Sequence, residues 1–236
     1  MKRILLAAAL ALAAGGQALA ADLPQPAPPR APATYVPVPV PVFSWTGIYV
    51  GVNGGYAFGD SSWTTPGLTP TGNFSTSGYL VGGTLGGNYQ WGQFVLGIEG
   101  DWDWTNMSGS PGLSACSGPF STACTTQSDW LATVRGRAGY AFDRILIYGT
   151  GGGAFGNVQA AYSTLPFSSS TQMGWTAGGG VEFAFTPNLT AKVEYLYVDL
   201  GNQSCAVGNC SLPGSSATTV TFTENIVRAG INYKFW

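Results

Sequence analysis

From Trp45 onward the chain alternates apolar with polar or small residues at a period of two. The alternation comes in segments of about ten residues or more, the length a tilted strand needs to cross a bilayer. Eight such segments can be read: residues 45–58, 75–90, 94–105, 128–142, 145–157, 172–185, 189–199 and 222–236. The links between them alternate in length. Trp91-Gly92-Gln93, Asp143-Arg144 and Thr186-Pro187-Asn188 are tight turns, whereas 59–74, 106–127, 158–171 and 200–221 are long and rich in Ser, Thr, Gly and Pro. An even number of strands with short and long links alternating puts all tight turns at one end and all long links at the other. The pattern predicts an all-β fold, an eight-stranded antiparallel transmembrane up-and-down β-barrel. Gly density and β-branched and aromatic enrichment oppose helices.

Successive side chains of a strand point to opposite faces, so the placement of charge decides what each face meets. In the third segment Phe94, Leu96, Ile98, Trp102 and Trp104 alternate with a face carrying Glu99, Asp101 and Asp103. The fourth sets Arg135 and Arg137 opposite Trp130, Ala132, Val134, Ala138 and Tyr140. Glu182 in the sixth, Lys192 and Glu194 in the seventh, and Glu224, Arg228, Asn232 and Lys234 in the eighth also oppose an apolar face. The fifth is ambiguous, because Ile145 and Ile147 as well as Leu146 and Tyr148 are apolar. An eight-stranded barrel has an interior just wide enough for side chains. The expectation is a lumen filled by a charge network of Glu99, Asp101, Asp103, Arg135, Arg137, Glu182, Lys192, Glu194, Arg228 and Lys234, not an open pore. Aromatic residues near segment ends, among them Phe58, Trp102, Trp130, Phe142, Phe185 and Tyr197, read as interface girdles.

Composition supports a lipid-facing surface: only 8% of residues are charged, against about 25% in soluble domains. The chain opens on Met1-Lys2-Arg3, an apolar run over 4–14 and the small-residue triplet Ala18-Leu19-Ala20. That reads as a secretory signal peptide cleaved between Ala20 and Ala21. The apolar run is shorter than the roughly 20 residues a spanning helix requires. Residues 21–44 are dominated by Pro and Ala and read as an extended leader outside the sheet, with the barrel over 45–236. The leader is a passive spacer or a contact to the cell wall, the spacer being favoured. The four cysteines form two close pairs, Cys116 with Cys124 and Cys205 with Cys210. In an exported protein this predicts two local disulfides. The alternative, a four-thiolate zinc site, lacks the close spacing of zinc knuckles.

Chemistry is sparse. The chain has no histidine, so the usual general base of hydrolytic triads and the commonest transition-metal ligand are both missing. Glu99, Asp101 and Asp103 could be read as a calcium cluster, but the neighbouring Arg135 and Arg137 favour ion pairing. Gly149-Thr150-Gly151-Gly152-Gly153 lacks the Lys-Ser/Thr ending and following helix of a phosphate loop, so close strand packing accounts for it better. The net charge of −2 makes nucleic acid a poor partner. Neither metal nor cofactor is expected, and no catalytic residue stands out.

The ending Ala229-Gly230-Ile231-Asn232-Tyr233-Lys234-Phe235 looks like the C-terminal signal of outer-membrane barrels, carried by Tyr233, Phe235 and the additional Trp236. The chain also resembles the alphaproteobacterial outer membrane immunogenic protein family over essentially its whole length. The resemblance rests on the Ala-Asp start after the signal, the proline leader, Trp45-Thr46-Gly47-Ile48-Tyr49-Val50-Gly51-Val52-Asn53-Gly54-Gly55-Tyr56, and Val193-Glu194-Tyr195-Leu196-Tyr197-Val198-Asp199-Leu200-Gly201. It implies an OmpA-like barrel in the bacterial outer membrane, with long loops outside the cell and both termini in the periplasm. It further implies a non-enzymatic role in envelope integrity, antigenic loops, and as partners the barrel assembly machinery and the outer-membrane lipid and lipopolysaccharide. A small diffusion channel and a loop-mediated adhesin or ligand binder are the alternatives. Haem binding or solute passage has been proposed for some relatives, and the lack of His gives haem no specific support here.

Overall fold

The computed structural model describes residues 43–64, 73–110, 124–162, 168–205 and 218–235, and all statements below concern those residues. They form eight strands: β1 Gly47–Thr64, β2 Asn73–Trp91, β3 Phe94–Gly109, β4 Cys124–Phe142, β5 Ile145–Tyr162, β6 Ser168–Ala184, β7 Leu189–Cys205 and β8 Thr218–Lys234. Each pairs antiparallel with its sequence neighbour, and β1 pairs with β8 from Tyr49↔Lys234 to Thr64↔Thr219, which closes the barrel. Closure leaves no strand edge unpaired, a requirement in a medium that offers no hydrogen bonds. No helix occurs among the described residues.

The three tight turns are where the alternation breaks. Gly92 (φ 62°) and Asp143 (φ 53°) adopt the left-handed conformation that a two-residue link between twisted strands requires. Between β6 and β7 the Thr186 hydroxyl accepts the backbone N–H groups of Asn188 (3.3 Å) and Leu189 (3.0 Å). At the other end the strands run two to six residues further than the apolar alternation predicts. The reason is physical: beyond the lipid band the outward face has no need to be apolar, so the alternation fades while the ladder continues. Register shifts at Trp104/Met107, Ser128/Leu131 and Asp199/Asn202 lie in this half.

The outer face is apolar throughout the middle of the barrel. Val52, Val81, Leu85, Ile98, Val134 and Val193 are all between 59% and 73% exposed, a coat that water would not tolerate. Aromatic residues ring it at both ends, with Trp102 stacked on Trp130 (5.0 Å) at one and Phe94 edge-on to Tyr140 (5.5 Å) at the other. The ambiguity in β5 is resolved: Ile145 and Ile147 face outward, while Leu146 and Tyr148 are buried in the lumen.

The lumen is filled in three layers. At the short-turn end Trp45, Val95, Ala141, Leu146 and Ala184 close the mouth. The middle holds the charged side chains. The long-connection end is apolar, with Leu80, Met107, Leu131, Leu196, Phe222 and Ile226 packed together. This last layer departs from the expectation of a lumen filled by ion pairs and polar groups alone. It follows from inward positions that are mostly apolar in this half, with Glu224 the one charged residue among those described.

An arginine on the lipid face should be costly. Ile98→Arg, at mid-height, is expected to destabilise the barrel by about 2–4 kcal/mol in urea unfolding from lipid vesicles. An unchanged midpoint would contradict a lipid-facing position for Ile98.

Candidate functional site

The inward positions of β3 and β4 are registered so that Glu99 lies beside Arg135, Gly97 beside Arg137 and Asp101 beside Thr133. The Arg135 guanidinium reaches Glu99 Oε1 and Asp101 Oδ2, both at 2.6 Å, and crosses the lumen to Glu194 Oε1 on β7 at 3.0 Å. Arg228 on β8 donates from Nε and Nη2 to Glu194 Oε2 (2.8 and 2.7 Å). Its Nη1 reaches Asp103 Oδ2 at 3.0 Å, and Nη2 also lies 3.1 Å from Asp101 Oδ1. Lys192 Nζ donates to Glu99 Oε1 from the opposite strand at 2.8 Å. Arg137 pairs with Glu182 Oε2 at 2.7 Å, and its guanidinium lies 4.0 Å from the centre of the Tyr148 ring.

Hydroxyl and amide groups complete the network. Tyr49 donates to Glu99 Oε2 (2.7 Å), Tyr148 to Glu194 Oε1 (3.1 Å), Thr84 and Thr133 to Asp101 (2.7 and 2.9 Å), and Thr190 and Asn232 to Glu182 (2.5 and 2.9 Å). Every strand from β1 to β8 therefore contributes at least one side chain. The charged groups are at most 3% exposed. Taking such ions out of water costs several kcal/mol each, and only multiple short contacts offset that cost. Space for them comes from inward glycines on adjacent strands. A Cβ at Gly86 would lie 2.4 Å from the Tyr49 ring, and one at Gly82 would lie 2.1 Å from Asp103 Oδ1.

The structure thus brings together nine of the ten charged residues expected in the lumen. Lys234 is the exception: its ammonium donates to the Ser44 carbonyl and sits 4.6 Å from the centre of the Phe43 ring, apart from the network. It lies at the last step of β8, where the chain entering the barrel folds across the mouth. There Trp45 is 2% exposed, its indole N–H donates to the Asp143 carbonyl (3.1 Å), and its backbone N–H donates to Gln90 Oε1 (2.7 Å). Sequence reasoning placed Trp45 at the start of a strand and missed this sealing role. It also missed the hydroxyl partners Tyr49, Tyr148, Thr84 and Thr133, although their inward parity was readable.

Tyr233 and Phe235 face outward, 5.5 Å apart edge to face; Trp236 lies outside the described residues, as do Ala20, Ala21, Cys116 and Cys210. Cys124 and Cys205 are strand-end residues, and their expected disulfides with Cys116 and Cys210 also fall outside what is described. Away from the lumen, a groove of about 640 Å³ crosses the lipid face along the hydrogen-bonded row Val181, Val193, Ala229, Gly54 and Val81. The small Ala229 and Gly54 create it.

A closed eight-stranded barrel with an apolar outer coat, aromatic rings at both ends and its charges turned inward is an outer-membrane β-barrel. The chain belongs to the outer membrane protein β-barrel domain family, whose model matches residues 5–235. It is 38% identical to the 31 kDa outer-membrane immunogenic protein of Brucella melitensis, over the full length of both chains. It is 31% identical to the 25 kDa outer-membrane immunogenic protein of Brucella abortus, over all of this chain and 99% of the relative. Among solved structures, OprG of Pseudomonas aeruginosa superposes with a TM-score of 0.51 at 14% identity, covering 80% of this chain and 96% of that one. That likeness speaks to the fold alone.

Truncating the most connected cation should be severe. Arg135→Ala leaves Glu99, Asp101 and Glu194 short of a buried partner and is expected to cost about 3–5 kcal/mol, read as a lower urea midpoint. A loss below about 1 kcal/mol would show that the network contributes little.

Proposed function

We propose that this outer-membrane protein is a non-enzymatic structural barrel that spans the membrane without conducting through it. The observation that carries the reading is the pairing of opposite walls: Lys192 on β7 with Glu99 on β3, and Arg228 on β8 with Asp103 on β3. Side chains that bridge the full width of the lumen leave no axial path at mid-height. The indole of Trp45 at one mouth and the apolar layer around Leu131, Leu196 and Phe222 at the other support the same reading.

The lack of histidine supports a role without catalysis, as does the engagement of each network carboxylate by a cation or hydroxyl. In this reading the long connections face the outside of the cell and act as the antigenic surface. The short turns and Trp45 face the periplasm, where the proline-rich leader acts as a spacer. The apolar belt contacts lipid and the lipid part of lipopolysaccharide. The outward pair Tyr233 and Phe235 lies where the barrel assembly machinery would read the last strand.

Planar-bilayer recording tests the closed lumen. The unmodified protein is expected to give no steady single-channel conductance. The Glu99→Gln, Asp101→Asn, Arg135→Met triple variant, if still heat-modifiable on electrophoresis, should give measurable steps. Stable steps from the unmodified protein would instead make it a small diffusion channel.

A further inference from the structure

Six carboxylates face the lumen, and five of them are held in the network. The sixth, Glu224 on β8, is 1% exposed, and neither of its oxygens has a hydrogen-bond partner among the described residues. The nearest cation along its strand, Arg228, lies four residues away and is committed to Asp101, Asp103 and Glu194. Two other buried polar side chains share this condition in the same half of the barrel: Ser61 (0% exposed) and Thr76 (1% exposed), whose hydroxyls also lack partners among the described residues.

Register brings the three together. Glu224 pairs across β8 and β1 with Gly59, and Gly59 pairs across β1 and β2 with Thr76. Ser61 is the next inward residue of β1 after Gly59. Gly59 has no side chain to come between them, and a Cβ there would meet the Thr223 carbonyl at 2.0 Å. Ser61 is the diagonal neighbour of both Glu224 and Thr76, roughly 7–8 Å away at the backbone, while Glu224 and Thr76 flank Gly59 two strand spacings apart, roughly 9–10 Å. Those spacings keep the three groups from bonding one another while letting them converge on a common small donor.

We propose that Glu224, Ser61 and Thr76 form a binding site for a primary alkylammonium ion. An ammonium group has three N–H donors and no acceptor, which matches one carboxylate oxygen and two hydroxyl oxygens. Ionised against such a cation, the Glu224 carboxylate gains a counter-charge that no described residue gives it. The apolar side chains of Val198, Leu200, Phe222 and Ile226 in the same layer suit a hydrocarbon stem and disfavour a hydrated inorganic ion. The approach is biased in the same direction. The connecting segments 65–72, 111–123, 163–167 and 206–217 contain no Lys or Arg, and the charged residues near this end of the strands are Asp60, Asp129 and Asp199, all acidic. A mouth with one sign of charge concentrates cations at its entrance.

The test is amide NMR on the ¹⁵N-labelled full chain in detergent micelles, titrated with n-butylammonium chloride. Saturable shifts are expected at the amides of Ser61, Thr76 and Glu224. Affinity should weaken at least tenfold in Glu224→Gln and in the Ser61→Ala, Thr76→Val double variant, each first checked for its heat-modifiable band. The double variant decides alone if Glu224→Gln fails to fold. Affinity should rise about three- to fourfold for each added CH₂ from propyl- to pentylammonium. Tetramethylammonium, which has no N–H, and sodium should leave those amides unmoved at equal concentration. The proposal is overturned by an absence of saturable shifts or by equal binding in both variants, which would mean partition into the micelle. An equal response to sodium would also overturn it, making the site one for inorganic cations.

Discussion

The structure depends on one electrostatic constraint: in a lumen just wide enough for side chains, a charge that leaves water must find its counter-charge on another strand. The three carboxylates of β3 meet guanidinium groups from β4 and β8 and an ammonium from β7, and Glu194 on β7 returns the contact to Arg135 and Arg228. Backbone ladders hold each strand to its two neighbours, and the ion pairs tie walls that share no ladder. The apolar coat outside and the paired charges inside are thus two consequences of the same alternation. Lipid accepts one face, and only mutual neutralisation makes the other face acceptable.

The fold was legible because that alternation is strong where a strand crosses lipid. Ile98 against Glu99 and Val134 against Arg135 are apolar and charged in direct succession, and a one-residue slip would turn carboxylates and guanidiniums into the bilayer. Strand ends at the long-connection side were less legible. Residues such as Ser61, Thr126 and Ser170 suit inward or outward positions beyond the membrane equally well. Parity puts Lys234 on the inward face, where it lies, but parity says nothing of height and does not bring it into the charge network. At the last step of β8 it meets Phe43 and Ser44 instead of a carboxylate.

The site was legible in membership and hidden in geometry. Inward parity identifies which residues share the lumen, whereas barrel stagger decides which of them meet across it. The contact of Lys192 with Glu99, 93 positions apart, and of Arg228 with Asp103, 125 apart, could not be ranked from sequence over pairing between adjacent strands. The same limit concealed the apolar layer at the long-connection end, because Leu80, Leu131 and Leu196 sit at inward positions that a polar-lumen rule assigns to hydrophilic residues. Glu224 has the parity of Arg228 yet lies among those apolar groups, which separates it from the network.

The central claim is that ion pairs across the lumen bind opposite walls of this barrel. A double-mutant cycle on Lys192→Met and Glu99→Gln, read by reversible urea unfolding in lipid vesicles, tests it most directly. The account predicts a coupling energy of about 1–3 kcal/mol between the two positions. Additivity within about 0.5 kcal/mol would contradict it.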